Sequence, residues 1–493
     1  MVIGITMTQC LQQVVVIVQT IKGVAYGVVL NNFLEKQHIA DKEVIMARLN
    51  TSKTVASNAL RTYEGAVAKR ISKIEQLERS VMCCLLWEDT FYESGVSIAE
   101  RIQTLIPQCD PKEVYKIAVR ARNNMKLRHI PLLIAREMAR GKYGKELVGT
   151  LLPEIIQRPD ELTEFLAIYW KDGKTPISAQ VKKGLAKAFT RFDAYQLAKY
   201  DREGAIRLRD VLFLCHAKPE SREQESLWKQ LIDRTLPIPD TWEVKLSAGG
   251  DKKEVFTSLI SEKKLGALAL LRNLRNMIGA GVDEYLIKDA IHAMKSDRVL
   301  PYRFIAAAKY APAFEPQLEE AMMRNLASHE KLPGKTVLLV DVSGSMDMAL
   351  SGKSDLKRVE AACGLAILLR EICEDVTIYS FSNDVILVPP RRGFALADAI
   401  VRSQWHSGTK LGSAVSFVNK LYKDRVIVIT DEQSHDTVPN PYGTGYLINV
   451  ASYQNGVGYG DWIHIDGFSE AVIDYISTLE RYERGVIDYE SIR

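Results

Sequence analysis

The sequence predicts two unlike parts, an α-helical repeat region followed by a doubly wound α/β domain, and three observations carry that prediction. From about residue 60 to 330, apolar residues recur three and four apart, with strand signals nearly absent. After Pro333-Gly334 the texture changes to short β-branched runs alternating with helical stretches. Asp341-Val342-Ser343-Gly344-Ser345-Met346 stands directly behind the apolar run 337–340, where a loop leaves a buried strand. The chain of 493 residues is 47% hydrophobic and 26% charged, which allows two to four ordinary globular domains.

At the N-terminal end, residues 11–30 look apolar, but Gln12, Gln13, Gln19 and Lys22 interrupt them and the remaining run is too short to span a bilayer. No basic residue precedes the stretch and no clear small-residue cleavage site follows it, which argues against a secretory signal. Lys42-Glu43-Val44-Ile45-Met46 can be encoded by AAG GAG GTN ATH ATG, a purine-rich ribosome-binding sequence ahead of an ATG. Residues 1–45 are therefore expected to be a translated leader or disordered extension, with Met46 the true start of a bacterial protein. Seven cysteines (Cys10, Cys83, Cys84, Cys109, Cys215, Cys363, Cys373) lack CxxC or Cys/His metal spacing, so reduced thiols and a cytoplasmic location are expected.

The helical region is expected over 46–330. Breaks near Pro107, Pro131, Pro153, Pro176, Pro219 and Pro301 delimit helices or helix pairs of HEAT-like size, although no repeating signature is clean. Pro237 to Gly250 reads as a longer loop.

Residues 1–330 carry a net charge of +9 and residues 331–493 one of −5, so the basicity belongs to the helical part. Lys112, Lys116 and Arg120 are four apart and share a helix face; Arg122, Lys126 and Arg128 continue into the next turn. Further sets are Lys182, Lys183, Lys187 and Arg191, and then Lys199, Arg202, Arg207 and Arg209, leading to Cys215-His216-Ala217-Lys218-Pro219. Each set alone fits a solvated helix face. Together with Asn123, Asn124, Tyr195, Tyr200 and His216, which can hydrogen-bond or stack on unpaired bases, RNA explains them better.

For residues 331–493 strands are predicted at 335–340, 376–381, 385–389, 425–430, 446–452 and 462–466, and helices near 355–374, 395–402, 411–422 and 469–480. Asp341, Ser343 and Ser345 on the first loop, Thr409 in Ser407-Gly408-Thr409-Lys410, and Asp431 after the buried run 426–430 then offer oxygen ligands alone, which suits a hard divalent cation such as Mg²⁺ at the carboxyl ends of the strands. An ordinary serine-rich turn capping a helix is the plainer alternative. In these five positions the chain resembles the von Willebrand factor A family, whose metal-ion-dependent adhesion site has this pattern.

Arg207 to Pro219, read together with the Asp341 to Met346 site, resembles the TROVE-module family of the Ro autoantigen and its bacterial relatives, over most of residues 55–480. The resemblance implies a monomeric ring of HEAT-like repeats closed by the A-type domain. It also implies binding of small non-coding Y-type RNA outside the ring and of single-stranded ends of misfolded structured RNA within it, alongside an exoribonuclease such as polynucleotide phosphorylase. The family's RNA-contacting histidine maps to His216 and a basic position to Lys199. A second basic position falls near Arg202 and Glu203, so the pattern departs there.

Three function classes follow: a non-catalytic RNA-binding scaffold, a protein-binding adhesion-type module in which the metal takes a partner's carboxylate, and a Mg²⁺-dependent nuclease. The nuclease ranks last because the loops supply chiefly hydroxyls and no second carboxylate motif, and because no Ser/His/Asp order, Walker loop or GxGxxG is convincing.

Overall fold

Several helices begin where the chain offers side-chain oxygens to their first amides. Ser72 and Glu75 form a reciprocal cap on α1 (Lys73–Met82), Asp110 followed by Pro111 opens α3 (Pro111–Asn123), and Ser178 caps α7 (Ala179–Phe189). This computed structural model describes residues 60–483, apart from 84, 239–241, 248–249, 297–298, 328–329, 458–459 and 470. The leader expected over 1–45 lies outside the described residues.

The intervening helices are α2 (Gly95–Leu105), α4 (His129–Arg140), α5 (Val148–Ile155), α6 (Pro159–Tyr169), α8 (Ala194–Tyr200), α9 (Leu208–Cys215) and α10 (Arg222–Asp233). They stack in two layers. One runs α1, α3, α5, α7, α9, each packed on the next, and the other runs α2, α4, α6, α8, α10. This alternation is that of a helical-repeat solenoid. The two faces meet in one apolar core from Leu77 to Leu231.

After a short helix α11 (Trp242–Ser247), the same alternation resumes in α12 (Lys252–Ser261), α13 (Ala267–Gly279), α14 (Glu284–Ala293), α15 (Pro301–Tyr310) and α16 (Glu315–Leu326). Two expectations need correction here. Part of the expected loop 237–250 is α11. Pro131 and Pro153 do not break helices: Pro131 lies in the first turn of α4, where no amide is needed, and Pro153 is buried near the end of α5.

The C-terminal part is a six-stranded sheet in the order β3-β2-β1-β4-β5-β6, parallel except for the β2/β3 pair. Its strands are β1 (Leu332–Asp341), β2 (Cys373–Phe381), β3 (Val385–Leu387), β4 (Arg425–Thr430), β5 (Thr444–Asn449) and β6 (Trp462–Asp466). Helices α17 (Arg358–Ile372), α18 (Gly393–Val401), α19 (Leu411–Val418) and α20 (Ala471–Glu483) cover it. Alternate residues of one strand serve opposite cores. Val337 and Leu339 pack toward α19, whereas Leu338 and Val340 join a core shared with α17, α18 and α20.

That second core continues into α12 to α16, so one apolar core crosses residue 330, and Leu60–Arg493 forms one compact unit. Two glycines mark the joints. A Cβ at Gly364 of α17 would lie 2.9 Å from Tyr302 Cβ of α15, and one at Gly467 would lie 2.6 Å from the carbonyl oxygen of Met82, at the end of α1. The helical run thus starts against β6 and finishes against α17 and α18. Its two ends are held by the same α/β domain.

Candidate metal centre and basic helical layer

β1 lies between β2 and β4, so the chain leaves the sheet in opposite directions on either side of it. The crevice beyond the carboxyl ends of β1 and β4 is the switch point of the sheet. Asp341 ends β1 and Asp431 follows β4; both are fully buried. The loop after β1 turns through a single 3-10 turn, Gly344–Asp347. That turn brings Ser345 Oγ within 2.6 Å of Asp431 Oδ2 and 3.4 Å of Ser343 Oγ, while Ser343 donates its amide to Asp341 Oδ1 at 2.8 Å. The amide of Gly344 donates to Ser407 O at 2.9 Å, which ties in the loop bearing buried Thr409. Thr409 is in turn held by His435, whose amide donates to its carbonyl at 2.8 Å.

The donor set is two carboxylates and three hydroxyls, the ligand chemistry of a hard divalent cation. No cluster of three or more His, Cys, Asp or Glu with metal-binding geometry occurs among the described residues. Burial, and next the charge of Asp431, push the Asp341 carboxyl up to about 7.

Two groups that sequence reasoning missed share the site. Arg358, at the start of α17 and buried, places Nη1 3.2 Å from Asp431 Oδ2. Tyr92, from the segment between α1 and α2, donates its hydroxyl to the same oxygen at 2.5 Å, and the Arg358 guanidinium lies 4.7 Å from its ring centre. Tyr63, Phe91 and Tyr453 pack around Tyr92. Nothing in local spacing links Tyr92 to Asp431, which lies 339 residues away.

The same segment of the chain holds a buried ionic joint. Arg79 of α1 pairs with Glu432 and lies 3.5 Å from Asp466, and it donates to the carbonyls of Tyr453 at 2.9 Å and Gln454 at 3.3 Å. His464 Nε2 is 3.0 Å from Glu432.

The predicted RNA contacts divide. Lys112, Lys116 and Arg120 are exposed on one face of α3, with Lys116 paired to Glu113 at 3.0 Å and Arg120 to Glu78. Lys126 is exposed, its ammonium donating to Asn123 O. Arg122 must be corrected: it is buried, donating to Ile155 O at 2.9 Å and pairing with Glu161 at 2.7 Å, because the face it occupies packs against the next helices. Arg128 is likewise engaged by Asp160 at 2.6 Å, by Glu164 and by Glu161 at 3.7 Å, which makes it a brace between α4 and α6.

Lys199 is half-buried with its ammonium 5.8 Å from the Tyr200 ring centre, and Arg202 is exposed. Arg207 pairs with Glu203, and Arg209 lies 3.8 Å from Asp210. His216 caps the end of α9 in the left-handed region (φ 55°), which turns its ring outward, with Nε2 3.3 Å from Lys182 Nζ of α7; Lys218 is exposed beside it. Thus Lys112, Lys116, Lys182, Lys183, Lys187 and His216 all lie on the layer α3, α5, α7, α9.

Comparison with known proteins adds family context. Residues 233–350 match the TROVE domain, a stretch that includes Asp341, Ser343 and Ser345 but not the basic segment 207–219. Over 89 residues the chain is 35% identical to telomerase protein component 1 of Rattus norvegicus and 36% identical to that of Mus musculus. This is 17% of the present chain and 3% of each of those much longer proteins. The fold is similar to that in the crystal structure of Deinococcus radiodurans RO (RSR) protein, with a TM-score of 0.58 and 17% identity over 84% of this chain and 100% of that one.

Proposed function

We propose that this chain, a TROVE-family protein with the fold of a Ro protein, is a non-catalytic RNA-binding scaffold of the cytoplasm. Its RNAs are small non-coding Y-type RNA and the single-stranded ends of misfolded structured RNA, presented to an exoribonuclease such as polynucleotide phosphorylase. The observation that supports this best is the shared layer of exposed cations, Lys112 and Lys116 on α3, Lys183 and Lys187 on α7, leading to His216 and Lys218 beyond α9. Like charges on one layer repel unless something neutralises them, as Glu113 does for Lys116. Phosphates do so while releasing their own counterions.

Asp341, Ser343, Ser345, Thr409 and Asp431 are the residues we assign to hold a divalent cation, Mg²⁺ by its preference for oxygen, whose charge would offset the paired carboxylates. The cover of Tyr92 on Asp431 speaks against an incoming partner carboxylate, and hence against the adhesion reading. A nuclease would need a general base beside the metal, whereas both carboxylates here are tied up by hydroxyl, amide and guanidinium donors.

Filter binding across a salt series tests the RNA reading. Changing Lys112, Lys116, Arg120 and Lys199 together to alanine is expected to weaken every RNA and to lower the salt slope by about one unit per lost phosphate contact. His216→Ser is expected to weaken Y-like RNA with little change in slope. Salt-insensitive binding, or full binding by the quadruple variant, would return the protein to the adhesion reading.

A further inference from the structure

Between the end of α8, the start of α9 and the end of α10 the surface folds into a cavity of about 300 Å³, lined by Arg202, Arg207, Arg209 and Arg234 together with Asp201 and Glu203. The four guanidinium groups come from two places far apart in sequence. Arg207 is the residue before α9, in extended conformation with its amide held by Asp210 Oδ2 at 2.8 Å. Arg234 ends α10 in the left-handed region (φ 59°, ψ 35°), a conformation that costs any residue with a Cβ. That turn sets Arg234 at the cavity wall. Its Nη1 lies 3.5 Å from Glu203, which also pairs with Arg207.

Glu203 is the weak member of this arrangement. Its side chain is 73% exposed, so the ion pairs it makes are screened by water and cheap to exchange. Asp201 is more enclosed, and burial raises its carboxyl above the ordinary range in spite of Arg207 and Arg209. With Glu203 displaced, the four guanidinium groups face Asp201 and Asp210, the latter 3.8 Å from Arg209, which leaves an excess of about two positive charges and matches a phosphate monoester (about −1.5 to −2 at neutral pH) better than the single charge of a diester. Guanidinium forks also fit phosphate oxygens pairwise. The remaining wall is apolar: Leu236, Pro237 and Ile238, the last 82% exposed, form a surface suited to a nucleoside rather than to a bare ion.

We propose that this cavity receives the terminal phosphate monoester of an RNA strand, with phosphate oxygens replacing Glu203 on Arg207 and Arg234 and the terminal nucleoside lying on the Leu236 to Ile238 wall. The inference rests on the RNA-binding reading and sharpens it: the layer of exposed cations takes internal diesters, whereas this concave site recognises an end.

The test uses the full chain and one single-stranded 12-nucleotide RNA in three forms, with a 5′-phosphate, with a 3′-phosphate, and with hydroxyls at both ends. One phosphorylated form is expected to bind about tenfold more tightly than the hydroxyl form, and which one tells the end that is read. Arg234→Gly removes the guanidinium while relieving the left-handed backbone, so the fold is kept; its preference is expected to fall to near one. Arg202→Gln, at an exposed lining residue just beyond the end of α8, is expected to reduce the preference as well. If all three RNAs bind the parent equally, the end-recognition proposal is overturned while RNA binding stands. If the parent prefers a phosphorylated end and Arg234→Gly and Arg202→Gln keep that preference in full, the phosphate is read elsewhere and the proposal falls. If none of the three binds, the RNA-binding reading itself fails.

Discussion

Replacing Arg79 by Met keeps most of the side-chain volume but strips the charge from the joint between α1 and the ends of β4 and β6. Arg79 is 2% exposed and its partner Glu432 is fully buried, so the substitution leaves an ionised carboxylate in the interior with His464, 3.0 Å away, as its remaining cation. Removing one partner of a buried ion pair costs about 3–5 kcal/mol. The retained His464 contact argues for the lower end of that range. At about 1.4 kcal/mol per decade, the opening equilibrium of α1 should rise by roughly two decades or more. Amide hydrogen exchange over Lys73–Met82, corrected for intrinsic rates, reads this directly. Adding Glu432→Gln to Arg79→Met removes the stranded charge and should return most of the lost protection. A loss of protection smaller than threefold, or a double variant worse than the single, would refute the reasoning. The joint also has a pH signature. Burial favours the neutral form of His464, but Glu432 and Asp466 outweigh it and hold its pKa above 6.5. Its stabilisation is therefore full below pH 6.5 and lost as pH rises through the raised folded value. Burial likewise opposes ionised Glu432, yet Arg79 and His464 hold its pKa below 4.5, so that contribution is present above pH 4.5 and lost as pH falls through the lowered value. Protection of α1 should peak between about pH 4.5 and 6.5.

Arg358→Gln removes the guanidinium that competes for Asp431, so Mg²⁺ should raise the melting temperature more than in the parent, whereas Asp341→Ala should abolish the Mg²⁺ effect; equal shifts in all three proteins would exclude a cation from this site. Arg122→Met should destabilise the helical region by about 3–5 kcal/mol in chemical denaturation and leave the salt slope of RNA binding unchanged, because its guanidinium is spent on Glu161. Weaker RNA binding at unchanged stability would restore Arg122 to the RNA contacts.

Much of this molecule was legible along the chain because the signals are local. The apolar runs at 337–340 and 426–430 became β1 and β4, and every expected strand and helix of the C-terminal part lies within a few residues of an observed one. The Ser72, Asp110 and Ser178 caps are local in the same sense, each made to an amide two or three residues on. Asp341, Ser343, Ser345 and Asp431 could be grouped because strand ends in a doubly wound sheet converge by topology. The tertiary structure alone decided which charges remain available. Helical spacing tells that Lys112, Lys116 and Arg120 share a face, but not that Arg122 and Arg128 meet Glu161 and Glu164 from a helix some forty residues on. Tyr92 over Asp431, Arg79 against Glu432, and Arg234 beside Arg207 are likewise products of packing between distant elements. A periodic pattern specifies which face of an element is buried; what that face touches depends on how the layers stack, and that is set by the summed packing of the whole chain.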